Sequence, residues 1–332
     1  MSDAKRSISG SAPDMSATTS TRTAAPNLPP PDLWHRVRHS DTSVAMLFLL
    51  PSLLGFVLFY LWPAIRGIWL SFTEFNLLRQ TSSFIGLGNY QELVGDPLFW
   101  HSMRVTLLYV VINISIQTVL ALAIAVMMDR LTQSVVVRGI MVLPWLIPQV
   151  VVGLLWLWML DPSLGIVNEF LQAIGIPSQP FLGSPDQVIP ALAGINIWRH
   201  TGYTALLLFA GLQTIPGDLY EAASVDGASE WKMFWRITMP LLRPVLALVL
   251  VITVVGSFQV FDVVHVATGG FGGTPGGPAN ASLVIYLYIF RQAFNFNNFG
   301  YAAAMATVLF VLLVGVAFIQ MKLLRASQSD LA

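Results

Sequence analysis

Cysteine is absent from all 332 residues, which excludes disulfides, thiolate nucleophiles and cysteine-based metal sites. Charge is scarce as well: only 10% of residues are Asp, Glu, Lys or Arg, where a soluble domain carries about a quarter. The 17 basic and 17 acidic residues cancel, so nothing in the net charge points to nucleic acid. No GxxxxGK[ST] phosphate loop occurs, so the chain holds no nucleotide motor of its own, and neither HExxH nor GxSxG appears. The five histidines are scattered: His35 and His39 near the N-terminus, His101 in a connection, His200 and His265 singly near apolar runs. No metal site is expected from them.

What the chain has in abundance is hydrophobic sequence, 55% of its residues. Residues 44–63, 105–128, 135–160, 189–212, 241–266 and 301–323 are six apolar runs, each long enough to cross a bilayer at roughly 20 residues per helix. The expected fold is therefore an all-α polytopic membrane protein with six transmembrane helices. Pro144 and Pro148 are expected to kink the third, which is tolerable where neighbours satisfy the freed carbonyls. Residues 1–42, rich in Ser, Thr, Ala and Pro (SATTSTRTAAPNLPPPD), read as a disordered leading tail, and 326–332 as a short trailing one. The membrane domain is expected over 43–325.

Basic residues set the orientation. Lys5, Arg6, Arg22, Arg36, Arg38, Arg130, Arg138, Lys232, Arg236, Arg243, Lys322 and Arg325 fall on one side of the six-run topology. Only Arg66, Arg79, Arg104 and Arg291 fall on the other. The positive-inside bias places both termini and the connection between the fourth and fifth runs in the cytoplasm. On the outer side, FIGLGNYQELVGDPLFW (84–100) reads as a short amphipathic helix leading into the second run, and the glycine-rich 267–280 as a flexible turn.

The connection at 218–244, DLYEAASVDGASEWKMFWRITMPLLRP, reads as two short helices with a hinge. Asp218 is expected to cap the first, with Glu221 three residues on as in a capping box. Ala222 and Ala223 keep that helix narrow, and Gly227 suits the left-handed position that ends it. Ser229 is expected to cap the second helix, in which Trp231, Phe234, Trp235 and Ile237 supply apolar area, and Pro240 and Pro244 aim the exit. Physically such a segment is either a connector lying on the membrane surface or a docking element.

Ionisable residues inside a membrane are functional candidates. Arg199 lies about 15 Å into the fourth run at 1.5 Å per residue, and Asp262 lies near the outer end of the fifth. Around them sit Trp198, Thr201, Gly202 and Tyr203, and on the fifth run Ser257, Gln259, Phe261 and His265. Aromatic faces beside amides and hydroxyls suit a polyhydroxylated ligand; the same residues suit an interfacial aromatic belt. Trp198, Arg199, Gly202, Tyr203, Gln259, Phe261 and Asp262 are the candidate pathway residues, with an Arg199–Asp262 ion pair as a further expectation.

The segment EAASVDGASEWKMFWRITMP resembles the EAA loop of bacterial ABC importer permeases, written EAAxxDGAxxxxxFxxIxLP. Glu221, Ala222, Ala223, Asp226, Gly227, Ala228, Phe234, Ile237 and Pro240 match, and Met239 replaces the usual Leu. YLWPAIRGIWLSFTEFN, VLPWLIPQVV, AGLQTIP, FQVFDVVHVATGG and IYLYIFRQAFNFNNFGYAAAMA extend the resemblance over 44–324, to the sugar-permease family of the maltose and glycerol-3-phosphate uptake type, MalF/UgpA-like. The resemblance implies a type I ABC importer permease fold in a bacterial inner membrane and a permease subunit without catalysis. It also implies that 214–244 docks on a separate cytoplasmic ATPase dimer, which binds ATP and Mg. The other implied partners are a second, MalG-like permease, an extracytoplasmic sugar-binding protein and membrane lipid. Uptake of glycerol-3-phosphate or a polyol derivative, or an ion-coupled secondary transporter, are the alternatives to sugar import.

Overall fold

A computed structural model of the chain describes residues 41–76, 81–131, 134–269 and 275–324. The tails expected at 1–42 and 326–332 lie outside these residues except for Asp41 and Thr42, and so do Lys5, Arg6, Arg22, Arg36, Arg38, Arg79 and Arg325. The chain divides into two compact units, one ending at Leu61 and one beginning at Trp62. In the first, α1 (Asp41–Phe56) carries Pro51 and passes into a π-helical turn, Val57–Leu61.

The second unit opens with α2 (Trp62–Leu70) and a hairpin of β1 (Thr73–Asn76) and β2 (Thr81–Phe84), antiparallel with Thr73 opposite Phe84. The amphipathic helix expected at 84–100 is present as α3 (Gly88–Gly95), followed by α4 (Pro97–Leu131). Asn89 of α3 is buried and donates to the carbonyls of Ser71 (2.8 Å) and Thr73 (3.0 Å), which ties the hairpin to the bundle. At 1.5 Å per residue the 35 residues of α4 measure about 50 Å, longer than the apolar thickness of a bilayer.

The third apolar run is not merely kinked. It splits into α5 (Val135–Leu146) and α6 (Gln149–Met159), bent by 89°. Ile147, which precedes Pro148, is extended (φ −71°, ψ 130°), because the proline ring disfavours a helical residue before it. After α7 (Ile166–Ala173) comes α8 (Val188–Leu212), which lies along α4 and against α5. The connection at 213–238 holds α9 (Gly217–Val225), the single turn α10 (Glu230–Met233) and a π-helical turn, Phe234–Thr238.

The fifth run, expected over 241–266, is interrupted at 259–261 without a sharp bend, so that Glu230–Gly269 is still one apolar stretch. α11 (Met239–Phe258) ends at Gln259, and α12 (Asp262–Gly269) starts afresh and packs on α6. Gly153 makes that packing possible, since a β-carbon there would sit 3.0 Å from Val266 Cβ. Asp262 is consequently the first residue of a new helix, not the last stretch of an old one. α13 (Ile285–Phe290) and the π-helical turn Arg291–Asn295 lead into α14 (Phe299–Leu324), the sixth run.

Among the described residues four helical stretches are long and apolar enough to cross a membrane, and α5 with α6 makes a fifth if the bent pair is one span. The remaining expected span, α8, has the length, 25 residues, but Asn196, Arg199 and His200 dilute its middle. It is the helix with the most buried residues in its own stretch, including Arg199 and Thr201, so its surroundings are protein.

The described residues of the glycine-rich turn are hydrogen-bonded to their neighbours, while 270–274 lie outside the described residues. Gly276 N donates to Thr268 Oγ1 (3.1 Å) and Ser282 N to Gly276 O (2.8 Å), with Gly276 and Gly277 at φ of 106° and 70°. Arg291 reaches Asn280 Oδ1 (3.1 Å) from α14's side of the loop.

Nearby, Asp96 binds three parts of the fold together. It accepts from Tyr288 Oη (2.6 Å), Tyr301 Oη (2.7 Å) and Leu98 N (2.8 Å). Burial works to raise the pKa of this carboxyl, but the two phenols and the backbone N–H groups of Leu98 and Phe99 outweigh it and hold Asp96 below 3.8. A depressed carboxylate stabilises the fold above its unfolded value, and that contribution is lost as pH falls through the folded value. Thermal stability is therefore expected to drop on acidification from pH of about 5 to about 3, with a shallower drop in Asp96→Asn. Melting curves over that range check it, and parallel slopes would remove Asp96 from the account.

Candidate functional site

Two apolar cores lie along the same three helices, separated by a polar belt. The core near the 213–238 connection takes Ala121, Ala125 and Met128 from α4, Ala205, Leu208 and Phe209 from α8, and Leu242 and Val249 from α11. The larger core takes Tyr109 and Val110, Ile195 and Ile197, and Val254 and Phe258 from those helices. Between the cores, α4 contributes Asn113 and Gln117, α8 contributes Asn196, His200, Tyr203 and Thr204, and α11 contributes Thr253 and Ser257. These residues line a cavity of about 290 Å³.

The belt is one connected hydrogen-bond network. Asn113 Nδ2 donates to Ser257 Oγ (2.9 Å) and Gln117 Oε1 (3.1 Å), and Gln117 Nε2 donates to Thr204 Oγ1 (2.9 Å). Asn196 Nδ2 donates to Asn113 Oδ1 (2.8 Å). Polar groups at this depth are costly unless paired, and pairing between helices fixes their relative position. Both helix breaks also open here: Trp145 and Gln149 flank the first, Gln259 and Val260 begin the second, and all four line the cavity. A break frees backbone carbonyls and N–H groups, which are tolerated at such depth where they line a cavity or are bonded by protein.

Of the candidate pathway residues, Tyr203 and Gln259 reach this cavity, and Tyr203 stacks flat on Trp145 with centroids 4.4 Å apart. Arg199 is buried, and its donors are taken up by the first break. Nη2 donates to Trp145 O (3.0 Å) and Ile147 O (3.0 Å), and Nε donates to Ile147 O (3.2 Å). Arginine only donates, so His200 Nε2, 2.9 Å from Nη1, accepts, and the ring proton on Nδ1 meets Asn196 O at 3.1 Å. The expected Arg199–Asp262 ion pair does not form; among the described residues the ion pair present joins Arg130 to Glu230. Gly202 lies in the α5–α8 contact, where a β-carbon would come 1.8 Å from Met141 O. Trp198 is half-exposed and edge-on to Trp156, 5.5 Å away, and Phe261 stacks on His265 at 5.2 Å.

Asn113, Gln117, Asn196 and Thr204 had not been singled out in the sequence. Their signal was present as amides and hydroxyls inside apolar runs, with Asn113 and Gln117 four apart on one helix face. A search restricted to ionisable groups passes over them.

The loop residues assemble as follows. α9 ends in a Schellman pair, Ala228 N to Ala223 O (2.9 Å) and Gly227 N to Ser224 O (3.0 Å), with Gly227 at φ 72° as its position demands. Ser229 caps α10 through Lys232 N (3.4 Å). Asp218 does not cap α9: the helix begins at Gly217, Pro216 occupies the preceding position, and Asp218 falls in the first turn. No residue of α9 is buried, and Ala222, Asp226 and Glu221 are exposed, as is Val225 at 88%. Ala223 and Ala228 are partly covered. Phe234 stacks on Trp231 (6.1 Å), while Ile237 and Pro240 lead into α11. Arg130 at the end of α4 pairs with Glu230, and Gln213 Nε2 donates to Asp129 Oδ1 (2.5 Å), so α4 is tied to this connection at two points.

The family profile described as the inner membrane component of binding-protein-dependent transport systems matches residues 117–329, which takes in the loop and most of the belt. The chain is 32% identical to the trehalose/maltose transport system permease protein MalF of Thermococcus litoralis over 88% of this chain and 97% of that protein. It is 31% identical to the sn-glycerol-3-phosphate transport system permease protein UgpA of Agrobacterium fabrum, over 83% and 92% of the two chains. A crystal structure of a bacterial ABC transporter that imports the acidic polysaccharide alginate superposes with a TM-score of 0.76 at 26% identity, covering 90% of this chain and 99% of that one. With its apolar helices and its profile match over more than half its length, the chain belongs to the ABC permease family of multi-pass inner-membrane components of binding-protein-dependent transport systems.

Proposed function

We propose that this chain is one permease subunit of an ATP-driven importer for a neutral sugar or oligosaccharide. The cavity at the paired helix breaks carries the proposal. It is lined by amides, hydroxyls, a histidine and two stacked aromatic rings, and no Lys, Arg, Asp or Glu faces it among the described residues. Amides and hydroxyls exchange hydrogen bonds with sugar hydroxyls, and rings stack on sugar C–H faces. A phosphate cargo such as glycerol-3-phosphate calls for cations at the site, and the donors of Arg199 are committed to Trp145 and Ile147.

In this reading the chain crosses the membrane six times with both termini in the cytoplasm, α8 being the crossing sheathed by protein. The loop 214–244 docks α9 on a cytoplasmic ATPase dimer, which holds ATP and Mg, and a MalG-like permease completes the passage. A sugar-binding protein outside delivers cargo; one related transporter structure was solved with an alginate pentasaccharide-bound periplasmic protein. ATP binding and the loaded binding protein then bias a two-state bundle from opposite sides. An unburied α9 supports the docking role, because among the described residues nothing buries this short helix or covers Val225.

Glu221→Lys is expected to abolish sugar uptake by the reconstituted complex while the chain still inserts in the membrane, because it reverses an exposed charge on the docking helix. Gly227→Pro is expected to do the same by breaking the φ 72° hinge. Proteoliposome uptake and ATPase assays check both; ATP-driven uptake at the wild-type rate in either variant would defeat the coupling role.

A further inference from the structure

The belt does not absorb the aromatic residues that follow the second helix break. Phe299 at the start of α14, Phe294 in the π-helical turn, Phe290 at the end of α13 and Phe261 beside the break form an unbroken row. Successive centroids are 5.8, 4.9 and 4.9 Å apart. Tyr286 joins the row at Phe261, 6.0 Å away. Phe261 does not itself line the cavity but directly follows Gln259 and Val260, which do. The Phe261 end of the row is separated along the chain from the 213–238 connection by α11, 20 residues or about 30 Å long.

The row is open at Phe294, 63% exposed, and at the adjoining Tyr286, 41%, while Phe261, Phe290 and Phe299 are half-buried. Its sequence context disfavours a lipid occupant. Between Arg291 and Phe299 the rings of Phe294, Phe296 and Phe299 are interleaved with amides; Gln292 and Asn298 bond each other and Gln292 bonds Tyr288, while Asn295 beside Phe294 is exposed, and an amide facing hydrocarbon is costly. Rings interleaved with amides match a ligand that has both C–H faces and hydroxyl edges.

Resting on the sugar reading above, we propose that this row is a second carbohydrate subsite, over which the sugar passes from the outer face into the polar cavity. Phe294, the exposed ring, offers a stacking platform of the kind the Trp145–Tyr203 pair offers inside, and the half-buried rings continue the row from it toward Phe261. Spacings of 4.9–5.8 Å put the next ring within reach before the previous one is released.

The test uses the complete complex in proteoliposomes, with its binding protein loaded in turn with labelled maltose, trehalose and maltopentaose. Phe294→Ala, at the most exposed ring, is expected to cut the maximal uptake rate about five-fold, the worth of one aromatic contact. The binding-protein concentration for half-maximal rate, the basal ATPase and co-purification of the partner permease are expected to stay unchanged, and Phe294→Trp to restore the rate. Phe290→Leu is expected to add to the loss. Wild-type uptake in Phe294→Ala overturns the subsite, and so does loss of the partner permease, which would make the row a subunit contact. If the wild-type complex moves none of the three sugars, the neutral-sugar reading falls and takes the subsite with it. That result differs from the first two, in which the wild type transports.

Discussion

Gly202→Ala is expected to leave little correctly folded chain in the membrane, whereas Gly194→Ala, two turns earlier on the same helix, is expected to be silent or slightly stabilising. An added β-carbon at 202 would lie 1.8 Å from the carbonyl oxygen of Met141 and 2.6 Å from its carbon, both backbone atoms of α5. Backbone cannot swing aside as a side-chain end can, so α5 must move off α8 as a body. Overpacking of this kind costs about 1–3 kcal/mol where side chains yield, and more where backbone has to. The shift also lifts Trp145 from Tyr203 and Ile147 from Arg199, so ring stacking and hydrogen bonding fail together. At Gly194 nothing lies within 4 Å, and alanine in a helix interior gains about 0.5–1 kcal/mol over glycine. Detergent-solubilised melting and monodispersity of the two variants form a matched pair. Equal stability would show that α5 and α8 are not in backbone contact.

Much of this architecture can be read without coordinates, and the exceptions share a cause. Apolar run length located the helices, because lipid demands it, and Gly227 located the hinge, because few other residues adopt its φ. Pro148 announced a distortion but not its size. A proline removes one hydrogen bond and displaces one turn; the 89° bend needs Arg199 on another helix to hold the freed carbonyls. The interruption at 259–261 has only a weak local sign, Gln259 and Asp262 within an otherwise apolar run, and α12 beyond it packs on α6 at Gly153. Asp218 failed as a cap because two features competed for the same helix start, and Pro216, whose φ is preset, took the position. The amides of the belt were readable in principle. Each alone is an unremarkable polar residue in an apolar run, and only the alignment of three helices makes them one network.

Arg199→Ala is expected to cost about 2 kcal/mol of stability, the combined loss at two part-buried carbonyls left without donors, each at the low end of about 1–3 kcal/mol. The carbonyls of Trp145 and Ile147 belong to the C-terminal end of α5, where four acceptors lack partners inside the helix and a positive charge is favoured by the helix dipole. Arg199 supplies both the charge and the geometry, since one planar group meets two oxygens and the ring of His200 at once. Arg199→Lys keeps the charge but has no fork, so it is expected to recover less than half of the loss. The effect on transport follows from location: the bend that Arg199 braces carries Trp145 and Gln149 into the cavity wall. A loosened bend is therefore expected to slow uptake in the alanine variant even at temperatures where it remains folded, while the exposed α9 stays intact. If Arg199 instead gripped the cargo directly, the lysine variant would keep its melting temperature and lose uptake. If it braces the bend, melting temperature and uptake fall in step through wild type, Lys and Ala, and measuring both on the three proteins separates a brace from a ligand contact.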